Sequence, residues 1–176
     1  MGKALIFCGI KHCGKSTLGK LAAELLEIPF CDTDELLEKE YNSSVRELFK
    51  ALGEEEFRRR ESALLAALPG TEQVISLGGG ALLKKENAPV IRALGTVIWC
   101  DVPDEIAFER IKKGGLPPFL AEAPDPFAEF QLRNKSRRET FSQVAHVKFT
   151  PESGVPARKN AEMLLEMLQN KGFIKR

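Results

Sequence analysis

The sequence predicts an α/β fold, a three-layer sandwich in which helices cover both faces of a parallel sheet. Three observations predict it. Short apolar runs alternate with longer segments of helical period, the runs are apolar at consecutive positions, and a glycine-rich turn joins the first run to the first helical segment. Strands buried on both faces and separated by helices are joined by right-handed crossovers, and such sheets take their ligands at the carboxyl ends of the strands.

Taken in order, residues 4–8, 73–77 and 96–100 read as buried strands, and residues 29–31 and 146–149 read as weaker ones. Residues 16–26, 34–41, 45–52, 54–67, 104–113 and 156–171 carry leucines and alanines at three- and four-residue steps and read as helices. Residues 114–126 break the rhythm. They hold Gly114-Gly115, Pro117-Pro118, Pro124 and Pro126, a composition that disfavours a regular element, so a mobile loop is expected, here delimited as a lid at about 114–132.

A chain of 176 residues, 43% hydrophobic and 29% charged, suits one globular domain spanning 1–176 and leaves no room for a second full one. With 26 basic against 25 acidic residues there is no long-range field to draw nucleic acid or a membrane surface, so small-molecule partners and a monomer are expected. Cys8, Cys13, Cys31 and Cys100 form no CxxC pair and read as reduced thiols. The start lacks the pattern of a secretory signal and no apolar run approaches membrane-spanning length, so a cytoplasmic location is expected.

Gly9-Ile10-Lys11-His12-Cys13-Gly14-Lys15-Ser16-Thr17 matches GxxxxGK[ST] between an expected strand and an expected helix. Gly9 and Gly14 let successive amide N–H groups face an anion, and the helix that follows adds its positive end. Lys15 would reach the β- and γ-phosphates of a nucleotide, while the Ser16 hydroxyl would serve Mg2+. The motif indicates nucleotide binding without indicating catalysis, since switches, motors and carriers share it.

Asp32-Thr33-Asp34 follows the second expected strand. One carboxylate could hold the Mg2+ shell while the other orients an acceptor hydroxyl and draws its proton, or the pair could be a helix cap with a first-turn acid. In the charge-dense run from Glu54 to Glu61, Arg58 and Arg59 cannot point the same way on a helix, and one of them should face the cleft. Gly78-Gly79-Gly80 directly follows the third expected strand in chain order, where glycine allows close approach to a ligand or simply a tight turn.

In series, GxxxxGKST, Asp32-Thr33-Asp34, the GEEEFRRRE block from Gly53 and the triple glycine resemble the shikimate kinase family over nearly the whole chain. The resemblance implies the P-loop kinase fold with a five-stranded parallel sheet, and transfer of the γ-phosphoryl of MgATP to the 3-hydroxyl of shikimate. It implies that Lys15 and Asp34 are catalytic and that Gly9, Gly14, Lys15, Ser16 and Thr17 cradle ATP. Arg110 and Pro156 would sandwich the adenine, and Ser16 and Asp32 would serve Mg2+. Asp34, Arg58, Gly79, Gly80 and Arg137 would bind shikimate, with Arg138 as the substitute for Arg137 should the register slip by one. A gluconate-type or nucleotide kinase and an inactive nucleotide-binding regulatory protein are the alternatives. One departure stands out: the family's lid carries an arginine before a proline, yet no basic residue occurs here from Gly114 through Leu132. Arg133, at the lid's end, is the expected helper of Lys15 and Mg2+ in neutralising phosphoryl charge.

Overall fold

The computed structural model describes residues 3–175. Five strands, β1 (Ala4–Cys8), β2 (Phe30–Asp32), β3 (Val74–Ser76), β4 (Gly95–Cys100) and β5 (Val147–Phe149), form one parallel sheet in the order β2-β3-β1-β4-β5. Every residue of β1 and β3 is buried, which requires cover on both faces and accounts for the apolar run of β1 and of Val74-Ile75 in β3. All five expected strands are present, within a residue or two at their ends.

The covering helices are α1 (Lys15–Leu26), α2 (Thr33–Tyr41), α3 (Val45–Ala67), α4 (Asn87–Leu94), α5 (Asp104–Lys113), α6 (Pro118–Ala121), α7 (Pro126–Val144) and α8 (Ala157–Asn170). α1 packs against α8, while α4 and α7 both pack on β4. The break expected between two helices at residue 53 is a kink inside α3, where Gly53 sits at φ 76. Ser44 and Glu47 close a capping box at the start of α3, each side chain accepting from the other's backbone N–H. A small second cluster of Leu37, Leu48 and Phe57 joins α2 to α3 and holds that pair as a unit beside the main core.

Three corrections to the sequence reading concern helices, and the first is α4, which that reading did not anticipate. Residues 114–126 are not wholly irregular, since Pro117 and Pro118 start the single turn α6, where proline's fixed φ suits a first helical position. The last part of the expected lid, from Pro126 onward, belongs to the 19-residue helix α7, which the sequence reading did not anticipate. Its start is set by Asp125, whose carboxylate accepts from the N–H groups of Phe127 and Ala128. α7 gave no apolar stripe because the inward positions between Phe130 and Phe141 are taken by Asn134 and Arg137, while Leu132 faces solvent. Among the described residues no helix is long and apolar enough to cross a membrane.

Candidate functional site

Five loops leave the carboxyl ends of the strands, and the phosphate loop lies at the centre of them. Gly9 takes φ 154, and a side chain there would run into the carbonyl of Cys100 and the thiol of Cys13, so only glycine lets the loop pass under β4. Gly14 caps α1 at φ 94. Lys15 is only 9% exposed, and its ammonium carries no ion pair with an acid among the described residues, which leaves it available to an anion. Ser16 Oγ donates to Asp32 Oδ2 at 2.7 Å and shares a hydrogen with Ser76 Oγ at 3.0 Å. The phosphate loop is thereby tied to the ends of β2 and β3.

Asp32 does two things at once: its Oδ1 accepts the N–H of Asp34 as the cap of α2, and its Oδ2 takes the Ser16 hydroxyl. The two readings of Asp-Thr-Asp are therefore compatible. Thr33, fully buried, accepts the N–H of Gly78 at 2.8 Å and pins the triple glycine against α2. Asp34 consequently stands against Gly78, and Glu61 approaches the glycine on the same side. Burial raises the pKa of the Asp34 carboxyl above its usual value, and the nearby Asp32 carboxylate raises it further, while Lys15 opposes both.

Of the two arginines left open by the sequence, Arg58 faces inward. Its Nη1 donates to Glu61 Oε2 at 2.7 Å, with Glu61 1% exposed, and its guanidinium lies over the rings of Phe57 and Phe49. Arg59 points to solvent and pairs with Glu56. Burial holds the Glu61 carboxyl above its ordinary range despite the guanidinium beside it. Across the site α7 brings up Arg137, which forms no ion pair among the described residues. Burial and the like charges of Arg58 and Arg133 push its pKa down. Arg58 and Arg137 thus lie close enough to repel each other, and of the two only Arg58 has an ion-pair partner among the described residues. Arg138 is occupied elsewhere, donating to Asp101, Asp104 and the carbonyl of Val102.

On the other side of the phosphate loop a cleft of about 430 Å³ runs between His12, Thr17, Arg110, Val102, Ile106 and the turn at residues 151–155. Arg110 is anchored there by donating to the carbonyl of His12 at 2.9 Å.

A family model described as shikimate kinase matches residues 11–169 of the chain. The chain belongs to the shikimate kinase family. A shikimate kinase of Symbiobacterium thermophilum is 39% identical over 171 residues, covering 96% of this chain and 97% of the relative. One of Chlamydia pneumoniae is 37% identical over 161 residues, covering 86% and 92%. The solved shikimate kinase of Acinetobacter baumannii in complex with shikimate superposes with a TM-score of 0.87 at 26% identity, covering 99% of this chain and 97% of that one. The enzyme of Aquifex aeolicus superposes with a TM-score of 0.80 at 30% identity, covering 96% and 98%.

Within that family pattern, the structure brings Lys15, Ser16, Asp32, Asp34, Arg58 and Arg137 around one space, and the triple glycine divides its work in a way the sequence did not show. Gly80 lies face to face with the Arg58 guanidinium, where a side chain would collide, but Gly79 meets only ordinary contacts with the phosphate loop. Gly78, not assigned a role from sequence, is equally constrained, because a side chain there would displace Asp34. Pro156 caps α8 and does not line the cleft, which its neighbours Val155 and Ala157 do. Arg133 pairs with Glu129 at 2.5 Å and lies 4.4 Å from the centroid of Phe119 in the lid. Glu61 and Asn160 escaped the sequence reading: a Glu in a charge run and an Asn in an amphipathic helix carry no local sign of being buried. Among the described residues no group of three or more His, Cys, Asp or Glu side chains could hold a metal by itself. The hydroxyl and carboxylate oxygens of Ser16 and Asp32 still fit Mg2+, which takes one or two protein ligands and completes its shell with phosphate and water.

Proposed function

We propose that this chain, acting as a single domain, transfers the γ-phosphoryl of MgATP to the 3-hydroxyl of shikimate, giving shikimate 3-phosphate and ADP. The observation that carries the proposal is the pair Arg58 and Arg137, set on separate helices with Arg137 unpaired among the described residues, beside the buried Asp34 carboxyl just after β2. Two guanidiniums from different directions fix a carboxylate by paired N–H bonds, and so fix the ring that bears it. A neutral polyol has no use for this grip; gluconate and a nucleoside monophosphate carry anions that could use it, and membership of the shikimate kinase family is what favours shikimate over them.

In this reading Asp34 accepts a hydrogen bond from the acceptor hydroxyl and takes its proton as the new P–O bond forms. Its raised pKa makes it the better base for that step. Phosphoryl transfer asks the protein mainly for alignment and charge stabilisation. Gly9, Gly14, Ser16 and Thr17 supply the cradle, and Lys15 places its charge on the β- and γ-phosphates. Ser16 and Asp32 would hold Mg2+, which would offset phosphate charge. Arg110 and the turn at 151–155 receive the base. The lid excludes water with the exposed ring of Phe119 beside Pro117 and Pro118, anchored by the buried Leu120, and Arg133 adds charge from α7. ADP release measured in parallel with shikimate, gluconate and nucleoside monophosphates tests the proposal. Turnover with gluconate or a nucleotide but not with shikimate would overturn it.

A further inference from the structure

The outer wall of the base cleft is the turn at residues 151–155, which belongs to no helix or strand and includes Gly154 at φ 79. A wall of this kind has no ladder of its own to hold its shape, so something else must fix it. Asn160 does so. It sits in the first turn of α8, is 3% exposed, and makes three hydrogen bonds to the wall. Its Oδ1 accepts the N–H of Glu152 at 2.8 Å, while its Nδ2 donates to the carbonyls of Glu152 at 3.1 Å and Val155 at 3.2 Å. Both Nδ2 hydrogens are consumed, so the side chain lines the cleft without a donor to spare for a ligand.

The remaining buried positions of α8 are Ala161, Leu164, Leu165 and Leu168, an apolar stripe in which an amide is out of place. Packing alone would be met by an aliphatic residue, without the cost of desolvating an amide. What the amide adds is a fixed geometry for the wall. We propose that Asn160 is a positioning residue for the nucleoside half of ATP, holding the turn at 151–155 in the shape that receives the base. The inference rests on the reading of this cleft as the ATP site. It separates nucleotide recognition into two independent parts, phosphates on the loop at 9–17 and nucleoside on a turn clamped from α8.

The test uses the full chain carrying Asn160→Ala, with kcat, the KM values for ATP and shikimate, and inhibition by ADP and by inorganic pyrophosphate. The KM for ATP and the inhibition constant of ADP should rise about tenfold, the size that one or two net hydrogen bonds carry. Turnover, the KM for shikimate and inhibition by pyrophosphate should stay within about twofold, because the phosphate loop is untouched. Asn160→Asp keeps the volume and the acceptor to Glu152 but sets a carboxylate oxygen against two carbonyls. It should show the same split, and it serves as the second variant should the alanine protein fail to fold. An unchanged KM for ATP in a folded variant, or equal weakening of ADP and pyrophosphate, would overturn the role, as would failure of both variants to fold. A wild-type protein that neither uses ATP nor is inhibited by ADP would instead sink the ATP-site reading itself.

Discussion

Arg58 and Arg137 are assigned the same work on the acceptor, yet the structure gives them opposite roles in stability, and replacing each by alanine separates the two. Arg58→Ala strands Glu61, a carboxylate 1% exposed whose hydrogen-bonded partner is the lost guanidinium. Removing one partner of a buried pair costs about 3–5 kcal/mol. The lower end applies here, because Glu61 already has a raised pKa and can take up a proton. At 2–4 °C per kcal/mol for a chain of this size, a loss of about 3 kcal/mol is a fall in Tm of roughly 6–12 °C. Arg137→Ala strands no acid and removes a charge that repels Arg58, so its Tm should stay within about 2 °C of wild type or rise. Both variants should raise the KM for shikimate roughly ten- to hundredfold, since a charge-assisted bond contributes about 1.5–3 kcal/mol, and neither should move the KM for ATP. Scanning calorimetry at pH 6 and pH 8 adds a signature. A Glu61 carboxyl without Arg58 takes up a proton more readily than the unfolded chain does, so the deficit should grow as pH rises, and Glu61→Gln in the same background should recover part of it. Equal destabilisation by the two alanine variants would refute the reasoning, as would an unchanged Tm for Arg58→Ala.

Asp34→Asn keeps the shape of the site but not its base, so kcat should fall at least a hundredfold while the KM for ATP holds; wild-type kcat should also lose activity in acid at a pH above 3.8, because the carboxyl's pKa is raised. Gly78→Ala should cut turnover strongly by displacing Asp34, whereas Gly79→Ala, which meets only ordinary contacts, should remain active; the opposite ranking in steady-state assays would show that the triple glycine is placed otherwise. His146 extends the edge of β4 with its ring, accepting the N–H of Val97 on Nδ1 at 2.9 Å while its own N–H reaches the carbonyl of Val97. Its pKa is lowered below 6.5, chiefly by burial, so the unfolded state binds the proton more tightly; the contribution is present above 6.5 and is lost as pH falls through the folded value. His146→Gln offers an oxygen that does not titrate, and its Tm should decline less than wild type's between pH 7 and 5; parallel declines would remove His146 as the cause.

By itself the sequence determined whatever depends on consecutive residues. The phosphate loop needs glycines, a lysine and a hydroxyl at fixed spacing between a strand and a helix, and Gly9 to Thr17 spell that out locally. The buried strands were legible because burial on both faces demands unbroken apolar runs, and Asp32-Thr33-Asp34 was legible because the same residues that cap α2 also face the loop. Tertiary structure decided everything that depends on how a helix is rotated or what lies opposite it. Arg58 rather than Arg59 faces the site because Phe57 and the buried Glu61 fix the roll of α3. Arg137 rather than Arg138 remains available because Asp101 and Asp104, about 35 residues earlier on a different element, claim the other guanidinium. Gly78 outranks Gly79 because Asp34 from α2 and Glu61 from α3 converge on it. Asn160 matters because the turn at 151–155 folds back onto α8. Each of these is a contact between separate segments, and its energy depends on distances that side-chain order along the chain does not encode.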